Sequence, residues 1–257
     1  MSDKVKNRLM IAGAAFCAAL FLFSGAMLCR EYLDQKQSAE AFDEVAELVK
    51  EDVELPTLEL ADDPAQEPKE LTAFEKYADV YAQNSDLVGW ISIPGTCVDY
   101  PVLQSSADDP EYYLRRTYKG EWRTAGSIFF QWDCSAESQN TVVYGHNMND
   151  GTMFAVLQKM TDEAFRNEHS KILLQTSNGL REYQIAAVLK TDITKFRFNR
   201  TEFADHADFL SFQKELFAQS LYESQTIHGE DCRLLTLVTC SYEWDNARTV
   251  VIAAEVR

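Results

Sequence analysis

Residues 9–29 read LMIAGAAFCAALFLFSGAMLC, 21 consecutive positions without a charge. As a helix rising 1.5 Å per residue, that run covers a hydrocarbon core of about 30 Å. It stands apart from the rest of the chain, so any folded domain must be built from the residues C-terminal to it. Lys4, Lys6 and Arg8 precede it, and Arg30 leads at once into an acidic stretch. The basic flank places residues 1–8 on the cytoplasmic side, 9–29 across the membrane as a signal-anchor, and the remainder outside. A cleaved signal peptide is the competing reading, with Ser24-Gly25-Ala26 as an acceptable small-residue site. The run exceeds a typical h-region, however, and Leu28 before Cys29 fits no lipoprotein signal. Length favours the anchor.

The formal charge of −17, from 24 basic and 41 acidic residues, argues against a nucleic-acid binder working by phosphate neutralisation. That charge is unevenly spread. Residues 30–70 hold 14 acidic and 4 basic residues, with Pro56, Pro64 and Pro68 in their second half. Residues 30–71 are therefore read as an acidic extracellular linker. Phe42, Val45 and Val49 have helical spacing, so a short amphipathic helix within 37–50 competes with a solvated stalk. The stalk is the preferred of the two.

The folded domain is assigned to 72–257. Thr72-Ala-Phe-Glu75 has the form of a capping box, with Phe74, Tyr77, Ala78 and Tyr81 as an apolar stripe behind it. Short β-branched and aromatic runs come next, at 88–93, 98–104, 126–132, 140–146, 171–176, 181–190, 233–240 and 248–256, each bounded by turn residues. Eight strands with little helix between most of them predict a mainly β fold, a closed barrel without free edges. Helical insertions are expected at 152–160 and 205–221, the second inside a long connection from Thr191 to Asp231.

No C-x-x-C pair, H-E-x-x-H, phosphate loop or G-x-S-x-G is present, so metal, nucleotide and serine-hydrolase chemistry lack local support. His169, His206 and His228 lie in charged or polar surroundings, where solvated surface residues are the default. His146 ends the run Thr141-Val-Val-Tyr-Gly145, and Cys240 ends Leu234-Leu-Thr-Leu-Val-Thr239. Arg248 opens the next strand, so a hairpin would put it beside Cys240 at one rim. An imidazole near a thiol favours the thiolate and can protonate a leaving amine, while a guanidinium can hold a developing oxyanion. Spacing alone leaves the plain reading open: a small buried Cys, a structural His and a solvated Arg. Cys97 in a turn, Cys134 in a polar loop and Cys232 before the Cys240 strand fit that plain reading.

Thr236-Leu-Val-Thr-Cys240 with Arg248 downstream resembles the active-site strand of a sortase, and Thr141-Val-Val-Tyr-Gly-His146 resembles its histidine strand. Val88-Gly-Trp-Ile-Ser-Ile-Pro-Gly-Thr96, Asp99-Tyr-Pro-Val102, Tyr112-Tyr-Leu114, Gly126-Ser-Ile-Phe129, Gly145-His-Asn-Met148 and Asp150-Gly-Thr-Met-Phe154 are similar to class B. The resemblance spans roughly 72–257. It implies an eight-stranded sortase-type barrel with an N-terminal helix, a further helix in the connection before the penultimate strand, and no cofactor. Cys240 would be the nucleophile, His146 the general acid/base and Arg248 the substrate-positioning and oxyanion residue. The implied reaction is transpeptidation, in which a secreted protein is cut at the Thr carbonyl of a C-terminal sorting motif. The acyl group then passes to an amine of a peptidoglycan precursor or of a pilin. A peptidase that lets water resolve the acyl-enzyme, and a non-catalytic tethered barrel, are the alternatives. Strand alternation puts Thr236, Val238 and Cys240 on one face. Val238 is accordingly expected to line the substrate groove, with the 205–221 helix as a wall.

Overall fold

The computed structural model describes residues 3–49, 77–222 and 232–256. The Thr72–Glu75 capping box, the three prolines of the linker and His228 lie outside them.

The β-branched runs form β1 (Leu87–Ser92), β2 (Asp99–Gln104), β3 (Ile128–Phe130), β4 (Asn140–Tyr144), β5 (Lys171–Thr176), β6 (Gly179–Thr191), β7 (Leu234–Cys240) and β8 (Arg248–Glu255). They close into a barrel in the order β1-β2-β3-β4-β7-β8-β6-β5, the eight-stranded mainly β architecture expected. Turn chemistry sets the hairpins. Gly95 between β1 and β2 has φ +78, and Gly179, the first residue of β6, has φ +113, values that L side chains rarely adopt.

Two of the pairings, β2 with β3 and β4 with β7, are parallel. Parallel neighbours end at the same rim, so the chain leaves β4 and β7 side by side. β8 pairs antiparallel with β7 and therefore begins at that rim. Ile91, Val102, Ile128, Val143, Leu237 and Ile252 belong to a large apolar cluster, each at most 1% exposed.

Among the described residues, four α-helices accompany the barrel: α1 (Asp3–Leu48), α2 (Ala78–Gln83), α3 (Glu163–Glu168) and α4 (His206–Ala218). The 46 residues of α1 amount to about 69 Å of helix. Among the described residues it is the one helix long and apolar enough to cross a membrane, with a mean hydropathy of 2.1 over its best window. It does not stop at the end of the apolar run. The solvated stalk preferred for residues 30–48 is replaced by helix, and that helix packs on the barrel. Val45 and Val49 are buried in a second apolar cluster with Tyr77, Leu87, Trp90 and Phe129. Phe42 meets the Tyr100 ring with centroids 5.2 Å apart. The Asp34 carboxylate accepts the Thr124 N–H at 3.2 Å, and Lys119 pairs with Glu44 at 2.5 Å. The reason is energetic: each valine withdrawn from water contributes about 1.5–3 kcal/mol, enough to favour docking over a solvated chain. The acidic residues between them stay on the exposed side.

The insertion expected at 152–160 is a 3-10 turn, Ala155–Thr161, rather than an α-helix. Asp162 then turns extended and caps α3, its side chain accepting the Phe165 N–H. Spacing of three and four residues suits both helix types, which is why Val156, Leu157 and Met160 are buried as expected. Asp205 caps α4, which packs on β6 through its apolar side.

Candidate active site

β4 and β7 pair with Tyr144 opposite Val238. The pairing outlasts the regular strands. Gly145 donates its N–H to the Val238 carbonyl at 3.1 Å, and the Thr239 hydroxyl donates to the Gly145 carbonyl at 2.8 Å. One step further, His146 stands level with Cys240. Gly145 has to be glycine, because a Cβ there would lie 2.7 Å from the Phe154 ring and nearer still to Ile128. Across the antiparallel pair, Cys240 is the direct partner of Arg248. Three residues far apart in the chain thus reach one rim through two pairings.

Cys240, His146, Arg248 and Val238 all line a single cleft of about 870 Å³. Phe129, Tyr144 and Val238 give it an apolar floor. Val238 is 1% exposed although it lines the cleft, and Ile193 and residues 197–202 line the same cleft. Those residues form the wall, in place of the 205–221 helix expected there. No residue of α4 lines the cleft, because Phe209, Phe212 and Leu216 are buried on the barrel side. A polar network fixes the wall. The Tyr144 hydroxyl donates to Gln131 Oε1 at 2.8 Å, Asn199 Nδ2 donates to the same oxygen at 2.9 Å, and Gln131 Nε2 donates to the Asn199 carbonyl at 3.0 Å.

His146 Nε2 sits 2.6 Å from the Leu114 carbonyl. A carbonyl is acceptor only, so in the neutral ring Nε2 carries the hydrogen and Nδ1 is left as acceptor. Burial holds the imidazole below its ordinary pKa. The Leu114 bond opposes that shift, and the Arg115 charge adds to it. Tyr112-Tyr-Leu114 is visible in the sequence only as part of the resemblance, and its role toward His146 is not, because a main-chain oxygen 32 residues away has no side-chain signature.

The Cys240 carbonyl is tied down twice, by Asn147 Nδ2 at 3.1 Å and Gln158 Nε2 at 2.9 Å. Gln158 is itself held, its Oε1 accepting from Lys190 Nζ and from the Thr249 hydroxyl. Lys190 Nζ also donates to the Ser241 hydroxyl at 2.8 Å and pairs with Glu243 at 2.5 Å. With the Ser241 N–H on the Ala247 carbonyl at 2.9 Å, the connection from β7 to β8 is closed on itself. Arg248 donates to the Ala247 carbonyl at 2.9 Å and, among the described residues, makes no ion pair. Its guanidinium keeps donors for a ligand in the cleft.

The remaining cysteines lie elsewhere. Cys134 and Cys232 are buried, Cys97 is exposed with its thiol on the Gly151 carbonyl, and Cys17 and Cys29 belong to α1. His169 sits against Phe165 with Nδ1 on the Pro94 carbonyl, and His206 opens α4. Among the described residues, no three His, Cys, Asp or Glu side chains form a metal-binding group.

The Sortase domain model matches residues 91–256. The chain is 34% identical to sortase B of Listeria monocytogenes over 245 residues, which is 94% of either protein. The solved sortase B of Bacillus anthracis in complex with AAEK1 superposes with a TM-score of 0.72 at 28% identity, covering 88% of this chain and 99% of that one. A Staphylococcus aureus sortase B–substrate complex gives a TM-score of 0.65 at 31% identity, covering 71% and 85%. With the model match covering well over half of the chain, and the Listeria relative matched along nearly its whole length, the chain belongs to the sortases, class B, a family of cysteine transpeptidases.

Proposed function

We propose that the protein is a membrane-anchored transpeptidase that joins secreted proteins to a cell-wall amine through a thioester on Cys240. α1 holds the barrel on the outer face, with residues 1–8 in the cytoplasm. A secreted protein enters the cleft with its C-terminal sorting motif, so that a Thr carbonyl carbon faces the Cys240 sulfur. Nδ1 of His146 takes the thiol proton, and the thiolate attacks that carbon. The oxyanion forms beside Arg248, whose guanidinium donates to it and holds the carbonyl in register. As the C–N bond breaks, His146 returns the proton from Nδ1 to the departing amine, leaving the acyl group on sulfur. The incoming amine repeats the sequence in reverse: it gives its proton to His146, attacks the thioester carbon and releases the Cys240 thiolate. Removing water from the cleft floor strengthens the Arg248–oxyanion interaction.

The observation that carries this reading is the meeting of Cys240, His146 and Arg248 at one rim of one cleft, with Nε2 of the histidine already engaged. Full-length protein in detergent is incubated with a sorting-peptide library, with and without an amine acceptor. Intact mass should show an acyl adduct that Cys240→Ala lacks, and the released product should be amine-capped when acceptor is present. A product that stays purely hydrolysed at high acceptor would refute transfer and leave a peptidase.

A further inference from the structure

Gly126 lies two residues ahead of β3 with φ +60. A Cβ added there would lie 2.6 Å from the Tyr113 carbonyl oxygen and nearer still to that of Leu114. These neighbours are main-chain atoms of the 3-10 turn Tyr112–Arg115, so they give way only if the turn moves. The neighbouring residue grips the same turn. Ser127 donates its N–H to the Tyr113 carbonyl at 3.0 Å and its hydroxyl to the Arg116 carbonyl at 2.8 Å. From the other side the Tyr113 hydroxyl donates to Asp86 at 2.6 Å and accepts from Asn84 at 2.9 Å. The Leu114 carbonyl is therefore clamped in height, and it is the atom that accepts from His146 Nε2 at 2.6 Å.

We propose that Gly126 is a positioning residue for the transpeptidation: by leaving room for the Tyr112–Arg115 turn, it sets the Leu114 carbonyl against Nε2 and so fixes the His146 ring with Nδ1 toward Cys240. The missing side chain does the work that an orienting carboxylate does in other thiol and serine enzymes. Displacing that carbonyl by the better part of an ångström takes a 2.6 Å hydrogen bond beyond useful range and frees the ring to rotate. Because the clash is with backbone, larger or smaller side chains at 126 differ little; what counts is the presence of a Cβ.

The proposal rests on His146 being the acid/base, and its test separates the two ideas. Full-length protein carrying ¹⁵N-histidine is compared as wild type, Gly126→Ala, Gly126→Asn and Gly179→Ala. Asn tolerates a φ near +60, so Gly126→Asn keeps the clash while easing the backbone strain. Gly179→Ala does the opposite, since its φ is +113 and a Cβ there meets nothing within 4 Å. Wild type should show the His146 Nε2–H proton protected from exchange, assigned by its loss in His146→Gln. Both Gly126 variants should lose that protection and drop kcat on the order of 10²-fold with KM little changed. Gly179→Ala should keep both. A Gly126→Asn protein with the proton protected and kcat intact overturns the proposal, as does an equal loss in Gly179→Ala. Should the Gly126 variants not accumulate as folded protein, Ser127→Ala loosens the same turn without a clash. It must then show faster Nε2–H exchange and lower kcat, and wild-type values for both would overturn the idea. If instead the proton behaves as expected but His146→Ala still transfers, the catalytic reading of His146 is what fails.

Discussion

Cys134, in the loop between β3 and β4, and Cys240, at the end of β7, have opposite chemical surroundings. Cys134 follows β3 in a loop that folds back on β4, with its one S–H within reach of the Gln131 and Val142 carbonyls and its sulfur accepting the Val142 N–H. It is 7% exposed, and burial pushes its pKa up to about 12. At Cys240 the bonds are made by the main chain instead. Asn147 and Gln158 hold the carbonyl, and the sulfur faces a cleft that also contains an imidazole and a guanidinium with no ion pair among the described residues. One region uses a cysteine as a small apolar filler with its polar capacity already satisfied. The other keeps the backbone rigid and leaves the sulfur available. Reactivity here depends on which atoms of the residue are engaged rather than on the residue type.

The sharpest way to break that contrast is to exchange the two residues' fates. Cys240→Ala should abolish acyl-enzyme formation, a loss on the order of 10⁴-fold or more in kcat/KM with a sorting peptide. Cys134→Ala should leave kcat/KM unchanged and lower stability by about 1 kcal/mol in a denaturant titration. Activity surviving in the first, or lost in a folded form of the second, would reverse the assignment. Arg248→Lys comes next. It keeps the charge but loses the planar fork that can hold an oxyanion and a carbonyl together, so kcat should fall on the order of 10²-fold or more. A wild-type kcat in that variant would show that Arg248 serves as a charge alone.

The same contrast explains what can be read from sequence. Strands are visible because alternation, β-branching and turn residues are local signals. Their boundaries come within two residues, the largest change being β3, which shortens from 126–132 to 128–130. Gly126 adopts a left-handed conformation at one end, and at the other Gln131 gives its N–H to Val142. The cleft wall is a different segment from the one the pattern suggests, since the apolar stripe Phe209, Phe212 and Leu216 marks α4 as a helix without saying which surface it covers. Residues 193–202, a mixed run with Phe196 and Phe198 among charged and polar side chains, carry no such pattern, and Ile193 and 197–202 line the cleft. The acidic composition of 30–48 favours a stalk. The helical spacing of Phe42, Val45 and Val49, which offers the competing amphipathic helix, marks the residues that pack, because a few apolar side chains outweigh many solvated charges once a barrel surface is available. Leu114 and the Lys190–Glu243–Gln158 group act through long-range or main-chain contacts that no local pattern encodes.

Val238 tests the cleft rather than the thiol. Its side chain lines the cleft together with Ile193 and residues 197–202, and Cys134 has no counterpart to it. Val238→Trp should fill the floor and raise KM for a sorting peptide about tenfold or more, while Cys240 still reacts with a small alkylating agent at the wild-type rate. One methylene in an apolar pocket already shifts selectivity by about 1–3 kcal/mol, so a bulkier ring should exceed that. Unchanged cleavage would remove Val238 from the groove.

The smallest expected effect concerns the connection from β7 to β8 that holds Cys240 in place. Hydrogen bonds from Lys190 and then Ser241 hold Glu243 well below the usual carboxylate range, down to about 2. A carboxyl whose folded pKa is depressed favours the folded state wherever it is ionised there and in the unfolded chain alike. That contribution is fully present above the ordinary carboxylate value and is lost as pH falls toward about 2. Glu243→Gln should therefore melt slightly lower than wild type at neutral pH, and the two melting curves should converge between pH 4.5 and pH 2. The gap should be modest, because the Glu243 side chain is 48% exposed and water screens the pair. At neutral pH, kcat should fall only a few-fold, since Gln158 and Asn147 still hold the Cys240 carbonyl. A gap that persists unchanged to pH 2 would mean that Glu243 contributes by packing and not by charge. A loss of kcat as large as that of Arg248→Lys would mean that the loop, and not the two amide side chains, keeps the Cys240 backbone rigid.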